Sequence, residues 1–338
     1  MRNIYFVITA LIIFFSLFLY LSFYTSGGDY KEKEIFVVES GQGIFDISQS
    51  LEEKGFVSCK YLFTAYVVLK GERGSLKTGI YEISPGMSIS QIADKLVAGE
   101  IKEISITIVE GWNLNDIANY LENKGYGDKE EFYRLAGEPP RYKDGEVYPQ
   151  KRGELEKEFS FLEEKPDNLS LEGYLFPDTY IVAANAQMDD ILRLLLANFE
   201  KKAVKEIGED DIFEIITIAS LIEKEVIVYE DKRLVSGIIR NRLEIGMPLQ
   251  IDATITYLTG RRSVSIPILE TRIDSPYNTY VNSGLPIGPI SNPGIESIKA
   301  AMYPKENDYF YYLSKPTGET VFSRTLEEHN YAKNKYLR

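Results

Sequence analysis

The chain has 338 residues, more than one small core needs and enough for two or three domains. Its formal net charge of −13 argues against a nucleic-acid partner, which would require a basic surface. A single cysteine, Cys59, excludes an intrachain disulfide and a cysteine-rich zinc cluster, and we predict neither a metal nor a cofactor.

An apolar segment near the N-terminus predicts a membrane helix. Ile4 to Tyr24 carries no charged residue and is long enough to cross roughly 30 Å of hydrocarbon. The following "YTSGG" places a tyrosine where a signal-peptide cleavage site needs a small side chain. We therefore expect residues 1–28 to form an uncleaved, single-pass anchor in the cell (inner or cytoplasmic) membrane. The remainder of the chain is then extracytoplasmic.

A glycine-centred pattern occurs three times within residues 35–136. The copies contain "VVESGQGIFDISQSLEEKGF", "GIYEISPGMSISQIADKLVAGE" and "ISITIVEGWNLNDIANYLENKGY". Each has an alternating strand, a turn glycine, and a helix whose apolar residues follow that glycine by 3, 6 and 10 positions. We predict small β-α modules that resemble LysM-type glycan-binding units, although packed helices on a sheet without any ligand fit equally. Trp112, after the third turn glycine, fits either sugar stacking or packing.

The second half of the chain has a different pattern. Residues 137–170 are polar and are interpreted as a linker or a surface insertion. Residues 171–338 combine helical periods with Pro- and Gly-rich loops, a hairpin, and a last helix that Thr325 caps. The helical periods are Asp190–Glu206, Ile212–Val226 and Asp231–Glu244. The fold class predicted is α+β, with a mostly helical catalytic-type domain and a small terminal sheet.

Glu223 stands out in the apolar helix "IASLIEKEV". At 100° per residue it lies about 60° from the centre of the apolar stripe, whereas Glu214 and Glu225 point toward solvent. Partial desolvation favours the protonated form of a carboxyl group, which suits a general acid. A boundary glutamate paired with Lys224 or Arg233 explains the same position.

Three further segments combine polar and aromatic residues in loops framed by Pro and Gly. They are "EGYLFPDTY", "NRLEIGMPLQIDATITY" and "SPYNTYVNSGLPIGPISNPGIESIKAAMYP". Such loops around an acidic helix are typical of a carbohydrate cleft. The candidates for binding sugar amides and hydroxyls are Gln250, Asp252, Tyr257, Asn278 and Tyr280, each of which also fits loop hydrogen bonding. Glu172 is interpreted as structural and His329 as a C-terminal packing or hydrogen-bonding residue.

Together with "ASLIEKE" and "VFSRTLEEHN", these motifs resemble the endolytic murein transglycosylases, the MltG or YceG-like family, over nearly the whole chain. The resemblance implies a lysozyme-like arrangement of residues 171–338. It also implies that the first Glu of "ASLIEKE", Glu223, is catalytic. Pro286-Ile287, Ala253 and Val226 depart from the family pattern in loop details only.

The resemblance implies that the β-1,4 bond between N-acetylmuramic acid (MurNAc) and N-acetylglucosamine (GlcNAc) is cleaved without water. Glu223 would act as acid and then as base, and the products would carry 1,6-anhydroMurNAc ends. The membrane anchor favours strands close to the membrane, so nascent peptidoglycan strands and a membrane-bound peptidoglycan synthase are the expected partners.

Two other functions fit the same residues. One is a muramidase-type hydrolase that uses Glu223 and Asp252 as two carboxylates. The other is a non-catalytic, membrane-tethered scaffold that binds peptidoglycan through the repeats. Against the first, we predict that Asp252 caps the helix "ATITY" and is not a second catalytic group.

Overall fold

The computed structural model describes residues 2–25, 33–39, 41–99, 102–143, 146–148, 154–208, 211–261 and 266–337. They form two compact units, Met1–Ile106 with Ile181–Ala186, and Thr107–Tyr180 with Gln187–Arg338. Helices predominate, and the described strands pair in twos. The mixed helix-and-sheet class predicted from the sequence is confirmed.

The first unit begins with an apolar helix and continues with alternating strands and helices. The elements are α1 Arg2–Tyr24, β1 Glu34–Val38, α2 Ile44–Glu53, α3 Lys60–Leu69, β2 Gly79–Ile83, α4 Ile89–Ala98 and β3 Glu103–Thr107. Strands β1 and β2 are antiparallel, with Phe36 opposite Tyr81 in the core. Within α1, the 21 residues Ile4–Tyr24 have a mean hydropathy of 2.6, long and apolar enough to cross a membrane.

The second unit is mostly helical. Its elements are α5 Leu114–Lys124, α6 Lys129–Ala136, β4 Arg141–Lys143, β5 Glu146–Tyr148, β6 Thr179–Ala183, α7 Met188–Phe199, α8 Lys205–Ile207, α9 Ile212–Glu225, α10 Tyr229–Glu244, α11 Asp252–Thr259, α12 Ile295–Met302, β7 Tyr311–Ser314, β8 Thr320–Ser323 and α13 Leu326–Tyr336. A π-helical turn, Glu200–Val204, joins α7 to α8. Strand β3 pairs with β6, and the boundary between the units falls within both strands. The predicted helical periods, the hairpin and the Thr325 cap are confirmed.

The three repeats form the helices that their spacing predicts. The apolar residues of the pattern are buried in every copy: Ile44, Ile47 and Leu51; Ile89, Ile92 and Leu96; Leu114, Ile117 and Leu121. Gly99 and Gly125 end their helices in the left-handed conformation, which costs a glycine little. The third helix, α5, belongs to the second unit. The likeness to LysM modules stays a prediction.

Part of the polar stretch at residues 137–170 packs within the second unit. Leu155, Phe161 and Leu162 are buried there, and the Phe161 ring lies 5.3 Å from that of Phe199 in α7. These aliphatic and aromatic side chains fix the described part of the stretch to the core, as an insertion would be fixed.

Helix α9 is the centre of the second unit. It is buried on all sides from Ile215 to Ile222, and α10, α11 and α12 pack against it. The buried Ser220 of this helix has hydrogen-bond partners for its hydroxyl. The hydroxyl donates to the Thr217 carbonyl and accepts from the Ile290 N–H at 3.1 Å. A central helix held this firmly fixes the position of its C-terminal turn, which carries Glu223 and Glu225.

Candidate functional site

Glu223 lies in the last turn of α9 and is held by three donors. Its side chain is 8 % exposed, so the predicted partial desolvation is confirmed. Oε1 accepts from Lys232 Nζ at 3.1 Å, and Oε2 accepts from the Gly294 N–H at 2.9 Å and the Ser297 hydroxyl at 2.6 Å. Gly294 and Ser297 belong to the N-terminus of α12, where the helix dipole also favours an anion. These contacts hold the carboxyl group in one orientation.

The partner of Glu223 differs from the two that the sequence suggested. Lys224 Nζ instead donates to the Gly111 carbonyl at 3.1 Å, and Arg233 Nε donates to the Tyr303 carbonyl at 3.0 Å. Lys232 has a side chain that is only 4 % exposed, so the ion pair with Glu223 is buried. Removing one member of such a pair leaves an uncompensated charge in the core.

Glu225 faces a cavity, and the expectation that it points to solvent is wrong. The Tyr312 hydroxyl on β7 donates a 2.8 Å hydrogen bond to Glu225 Oε2. Burial raises the pKa of the Glu225 carboxyl to about 7; the Tyr312 hydrogen bond and Arg242 oppose this rise, and the Asp252 charge reinforces it. The helical wheel failed here because it measures only the apolar stripe of α9, while Tyr312 comes from a distant strand.

The cavity at Glu225, hereafter the Glu225 cavity, has a volume of about 490 Å³. Its walls come from the ends of α9 and α10, the segment before α11, strand β7 and helix α13. The polar side chains that line it include Arg242, Gln250, Asp252, Tyr280, Tyr312 and His329. Three of the predicted sugar-binding residues, Gln250, Asp252 and Tyr280, are thus brought together with Glu225. Aromatic rings combined with a few convergent polar groups suit a sugar ligand.

Arg242 is a fixed cation in the wall of the Glu225 cavity. Its guanidinium donates to the Phe310 carbonyl at 2.7 Å and to the Leu249 carbonyl at 2.5 Å, and it lies 5.2 Å from the centre of the Tyr311 ring. These contacts leave the side chain little freedom. The sequence pattern did not indicate a role for Arg242, although this residue belongs to the quoted motif "NRLEIGMPLQ".

Gln250 has an unusual backbone conformation at the edge of the cavity. Its φ is 48°, in the left-handed region that non-glycine residues rarely occupy. Its N–H donates to the Thr279 carbonyl at 3.0 Å, and the Ile251 N–H donates to the Thr279 hydroxyl at 2.9 Å. Strained residues of this kind cluster at functional sites, where the surrounding structure holds them.

Asp252 does not cap α11 as predicted. It is the first residue of that helix, the N-cap is Ile251, and no side-chain hydrogen bond caps this end. The Asp252 carboxylate instead accepts a hydrogen bond from the Tyr280 hydroxyl. Burial, followed by this hydrogen bond, raises the pKa of the Tyr280 phenol, so Tyr280 remains a donor at neutral pH.

The last two candidates lie away from the Glu225 cavity. Asn278 is fully buried; its Nδ2 donates to the carbonyls of Thr271 and Ile273 at 3.1 and 2.7 Å, and its Oδ1 accepts from the Tyr280 N–H at 2.9 Å. These bonds give it the alternative role, loop hydrogen bonding. Tyr257 lies farther along α11 and borders a second cavity.

Glu172, interpreted as structural from the sequence, is buried within the second unit. Burial raises the pKa of its carboxyl to about 8. The carboxyl accepts from the Leu114 N–H at 3.1 and 3.2 Å and from Asn292 Nδ2 at 3.1 Å. Glu172 therefore connects the start of α5 to the segment before α12.

His329 contributes more than the C-terminal packing that the sequence suggested. Its imidazole stacks on the Tyr311 ring at 5.4 Å and lines the Glu225 cavity. Burial lowers the pKa of His329, so the ring is neutral at pH 7. The signals that could have indicated His329 and Tyr312 are the quoted motif "VFSRTLEEHN" and the tyrosine-rich hairpin.

The arrangement supports acid–base chemistry on a sugar. A carboxyl group that titrates near neutrality, tyrosine hydroxyls and an exposed glutamine face one space. Among the described residues, no group of three or more His, Cys, Asp and Glu side chains could hold a metal ion.

Comparison with known proteins gives the family. Residues 36–335 match the YceG-like family. The endolytic murein transglycosylase of Bacillus subtilis (strain 168) is 33 % identical over 319 residues, which cover 89 % of this chain and 84 % of that protein. The protein of the same name from Streptococcus pneumoniae serotype 2 is 30 % identical over 315 residues, 87 % of this chain and 56 % of that longer protein. A crystal structure of a yceG-like protein from Listeria monocytogenes gives a TM-score of 0.57 at 31 % identity and covers 90 % of this chain and 100 % of that one. The chain belongs to the YceG-like family.

Proposed function

We propose that this protein is a membrane-anchored lytic transglycosylase that cleaves the glycan strands of peptidoglycan. Its relatives from Bacillus subtilis and Streptococcus pneumoniae are named endolytic murein transglycosylases, which supports the general activity. The observation that carries the proposal is the Glu225 carboxyl, which has a pKa of about 7 and faces a cavity lined by Gln250, Asp252 and Tyr280. Such a group is partly protonated at neutral pH, as a general acid requires.

The proposed bond is the β-1,4 linkage between MurNAc and GlcNAc. Protonated Glu225 gives its proton to the bridging oxygen as the bond to the MurNAc anomeric carbon breaks. The resulting carboxylate then accepts the proton of the MurNAc 6-hydroxyl as that oxygen attacks the same carbon. The products are a 1,6-anhydroMurNAc end and a free GlcNAc hydroxyl. One carboxyl suffices because the substrate supplies the nucleophile, whereas most glycosidases use two.

Glu223, which the family resemblance implies to be catalytic, is the alternative proton donor in the same turn of α9. Both oxygens of Glu223 already accept hydrogen bonds, including one from the buried Lys232. Glu225 is proposed first because its carboxyl faces a cavity whose lining includes three of the predicted sugar-binding residues. The contacts of Glu223 also fix the last turn of α9 against α10 and α12, which positions Glu225.

The proposal is tested with the full-length protein in detergent, acting on purified sacculi, with products identified by mass spectrometry. Glu225→Gln should lower the cleavage rate at least 100-fold, the usual minimum for losing a general acid. Glu223→Gln should retain activity in its folded fraction. Glu214→Gln is the matched control, because Glu214 is exposed on the same helix. Anhydro ends support the proposal, whereas a fully active Glu225→Gln enzyme returns the catalytic assignment to Glu223.

A hydrolase is the second candidate, because Glu225 and Asp252 line the same cavity. A muramidase would use the second carboxylate toward water or the anomeric carbon, and its products would have reducing ends. Asp252→Asn would then abolish activity as completely as Glu225→Gln. If the wild-type protein releases no fragments, the non-catalytic scaffold is favoured.

Helix α1 supports a membrane location for the protein. We propose that this helix anchors the protein in the cell membrane, with the second unit outside the cytoplasm. Tethering raises the effective concentration of the enzyme for strands near the membrane. Nascent strands are therefore the proposed substrate, a membrane-bound synthase is the proposed partner, and the LysM-like repeats are proposed to help position the glycan. A C-terminal reporter that is active only in the cytoplasm would contradict this topology.

A further inference from the structure

A second cavity of about 680 Å³ lies within the second unit. Polar and aromatic side chains line two sides of this cavity. One side has Trp112, before α5, with Asn115, Asn119 and Tyr120 on α5, and the other has Thr256 and Tyr257 on α11. These side chains carry hydroxyls and amides beside an indole and two phenol rings, and the charged side chains of Asp116, Lys224 and Arg261 also line the cavity. Flat aromatic faces combined with amide hydrogen-bonding groups are suited to an N-acetylated sugar.

The wall of this Trp112 cavity is rigidly built. The Trp112 carbonyl accepts from both the Asn292 N–H at 2.7 Å and Asn292 Nδ2 at 3.0 Å, and the Gly111 N–H donates to the Asn292 carbonyl at 2.9 Å. The indole lies 5.2 Å from the Tyr120 ring at 59°, while the side chain remains partly exposed. The Trp112 backbone is therefore fixed by Asn292 independently of its ring.

The asparagines of the wall are oriented as well. The Tyr133 hydroxyl donates to Asn115 Oδ1 at 2.9 Å, and Asn119 Nδ2 donates to the Asn115 carbonyl at 2.6 Å. Side chains held in one rotamer lose little entropy when a ligand binds. These hydrogen bonds hold the two amides in position for a ligand.

The two cavities are bordered by consecutive residues of the same two helices. Lys224 lines the Trp112 cavity and Glu225, the next residue of α9, lines the Glu225 cavity. In the same way, Asp252 and Ala253 are consecutive in α11 and border different cavities. Consecutive Cα atoms are about 3.8 Å apart, so the backbone that borders one cavity lies close to the backbone that borders the other.

We propose that the Trp112 cavity is a glycan subsite that holds a GlcNAc-type sugar of the strand away from the bond that is cleaved. The inference rests on the proposed function for its substrate. The Trp112 ring lies against one face of the pyranose, and Asn119 bonds the acetamido group or a ring hydroxyl. The subsite lengthens the contact with the strand and favours cleavage within long strands over cleavage of short ones.

The test uses the fact that Trp112 is the only tryptophan of the chain. Full-length Glu225→Gln protein in detergent is titrated with chitotetraose, a soluble oligomer of GlcNAc, while tryptophan emission is recorded. We expect a saturable change in emission. Asn119→Ala should weaken the affinity on the order of tenfold, the effect of losing one or two hydrogen bonds. Asn123→Ala, an exposed residue of the same helix, is the matched control and should not change the affinity.

The outcomes separate this subsite from the proposed activity. Emission that stays constant up to millimolar oligomer, or a titration that Asn119→Ala leaves unchanged, overturns the subsite whether or not the wild-type protein cleaves sacculi. A saturable, Asn119-dependent signal supports it even if the catalytic residue proves to be another. In the active enzyme, Trp112→Ala should raise KM for long strands and leave the anhydro product unchanged; an unchanged KM contradicts the proposal.

Discussion

Tyr312 and Glu225 are 87 residues apart in the chain, yet the Tyr312 hydroxyl lies 2.8 Å from Glu225 Oε2. The hydroxyl donates to the carboxylate and so favours its charged form, while burial favours the neutral form and raises the pKa to about 7. The balance between these two effects sets the pH range in which Glu225 can give up a proton.

Tyr312→Phe should move the alkaline limb of the kcat/KM profile to higher pH. The proposed acid must be protonated in the free enzyme, so kcat/KM falls as the pH rises through about 7. Without the Tyr312 donor the carboxylate is less stable, so its pKa rises further and the limb moves with it. Initial rates on soluble glycan oligomers across the pH range provide the measurement. A limb that stays in place or moves to lower pH would show that Glu225 is not the titrating group.

Asp252→Asn should shift the same limb in the opposite direction. The Asp252 charge raises the pKa of Glu225 by repelling a second negative charge. The uncharged asparagine removes that repulsion, so the acid loses its proton at lower pH and the limb moves down. The same rate measurements apply. Complete loss of activity at every pH would instead favour the two-carboxylate hydrolase.

The sequence predicted what depends on local periodicity. The repeats, the three helical periods of the second unit and the hairpin follow from the spacing of apolar residues and from Gly and Thr at helix ends. The candidates Gln250, Asp252 and Tyr280 were found because they belong to loops whose composition is unusual for a core.

The environment of the acidic residues could not be predicted in the same way. The partners of Glu225 come from β7 and α10, and those of Glu223 come from α10 and α12. A helical wheel measures direction relative to one stripe, but α9 is enclosed by several helices and has no solvent side along most of its length. Which of two nearby glutamates faces a cavity therefore depends on tertiary contacts.

Glu223→Gln should destabilise the protein by about 3 kcal/mol, because it leaves the Lys232 charge buried without its partner. The measurement is urea unfolding followed by Trp112 emission, which reports on the second unit. Replacing both residues, Glu223→Gln with Lys232→Met, should recover much of the loss. Glu214→Gln, on the exposed side of α9, should change stability by less than about 0.5 kcal/mol. An unfolding midpoint that Glu223→Gln leaves unchanged would show that the ion pair adds nothing to stability.

Glu172 should make the second unit less stable as the pH rises. Its pKa is about 8 in the fold against 4.5 for an unperturbed glutamate, so the native state binds the extra proton between these values. The stabilisation is fully present below pH 4.5 and is lost progressively until the pH passes about 8. Glu172→Gln mimics the neutral form, so its stability relative to wild type should increase with pH. Urea midpoints of both proteins at acidic and alkaline pH test this, and a constant difference would contradict it.

At Gln250 we expect the side chain to affect activity and the left-handed backbone conformation to affect stability. A non-glycine residue in the left-handed region destabilises the fold by roughly 1 kcal/mol. Glycine avoids this strain, but its greater freedom in the unfolded chain destabilises the fold by a similar amount. Gln250→Gly should therefore leave stability within about 1 kcal/mol of wild type. It should nevertheless lower kcat/KM, because the exposed side chain that lines the Glu225 cavity is lost.

A β-branched residue at this position tests the strain separately. Gln250→Val should destabilise the protein by about 2 kcal/mol, since valine fits the left-handed conformation poorly. Urea unfolding and rates on glycan oligomers distinguish the two effects. If Gln250→Gly keeps full activity, the side chain does not contact the substrate. If valine is tolerated without loss of stability, the φ of 48° is not enforced by the Thr279 hydrogen bonds that hold this segment.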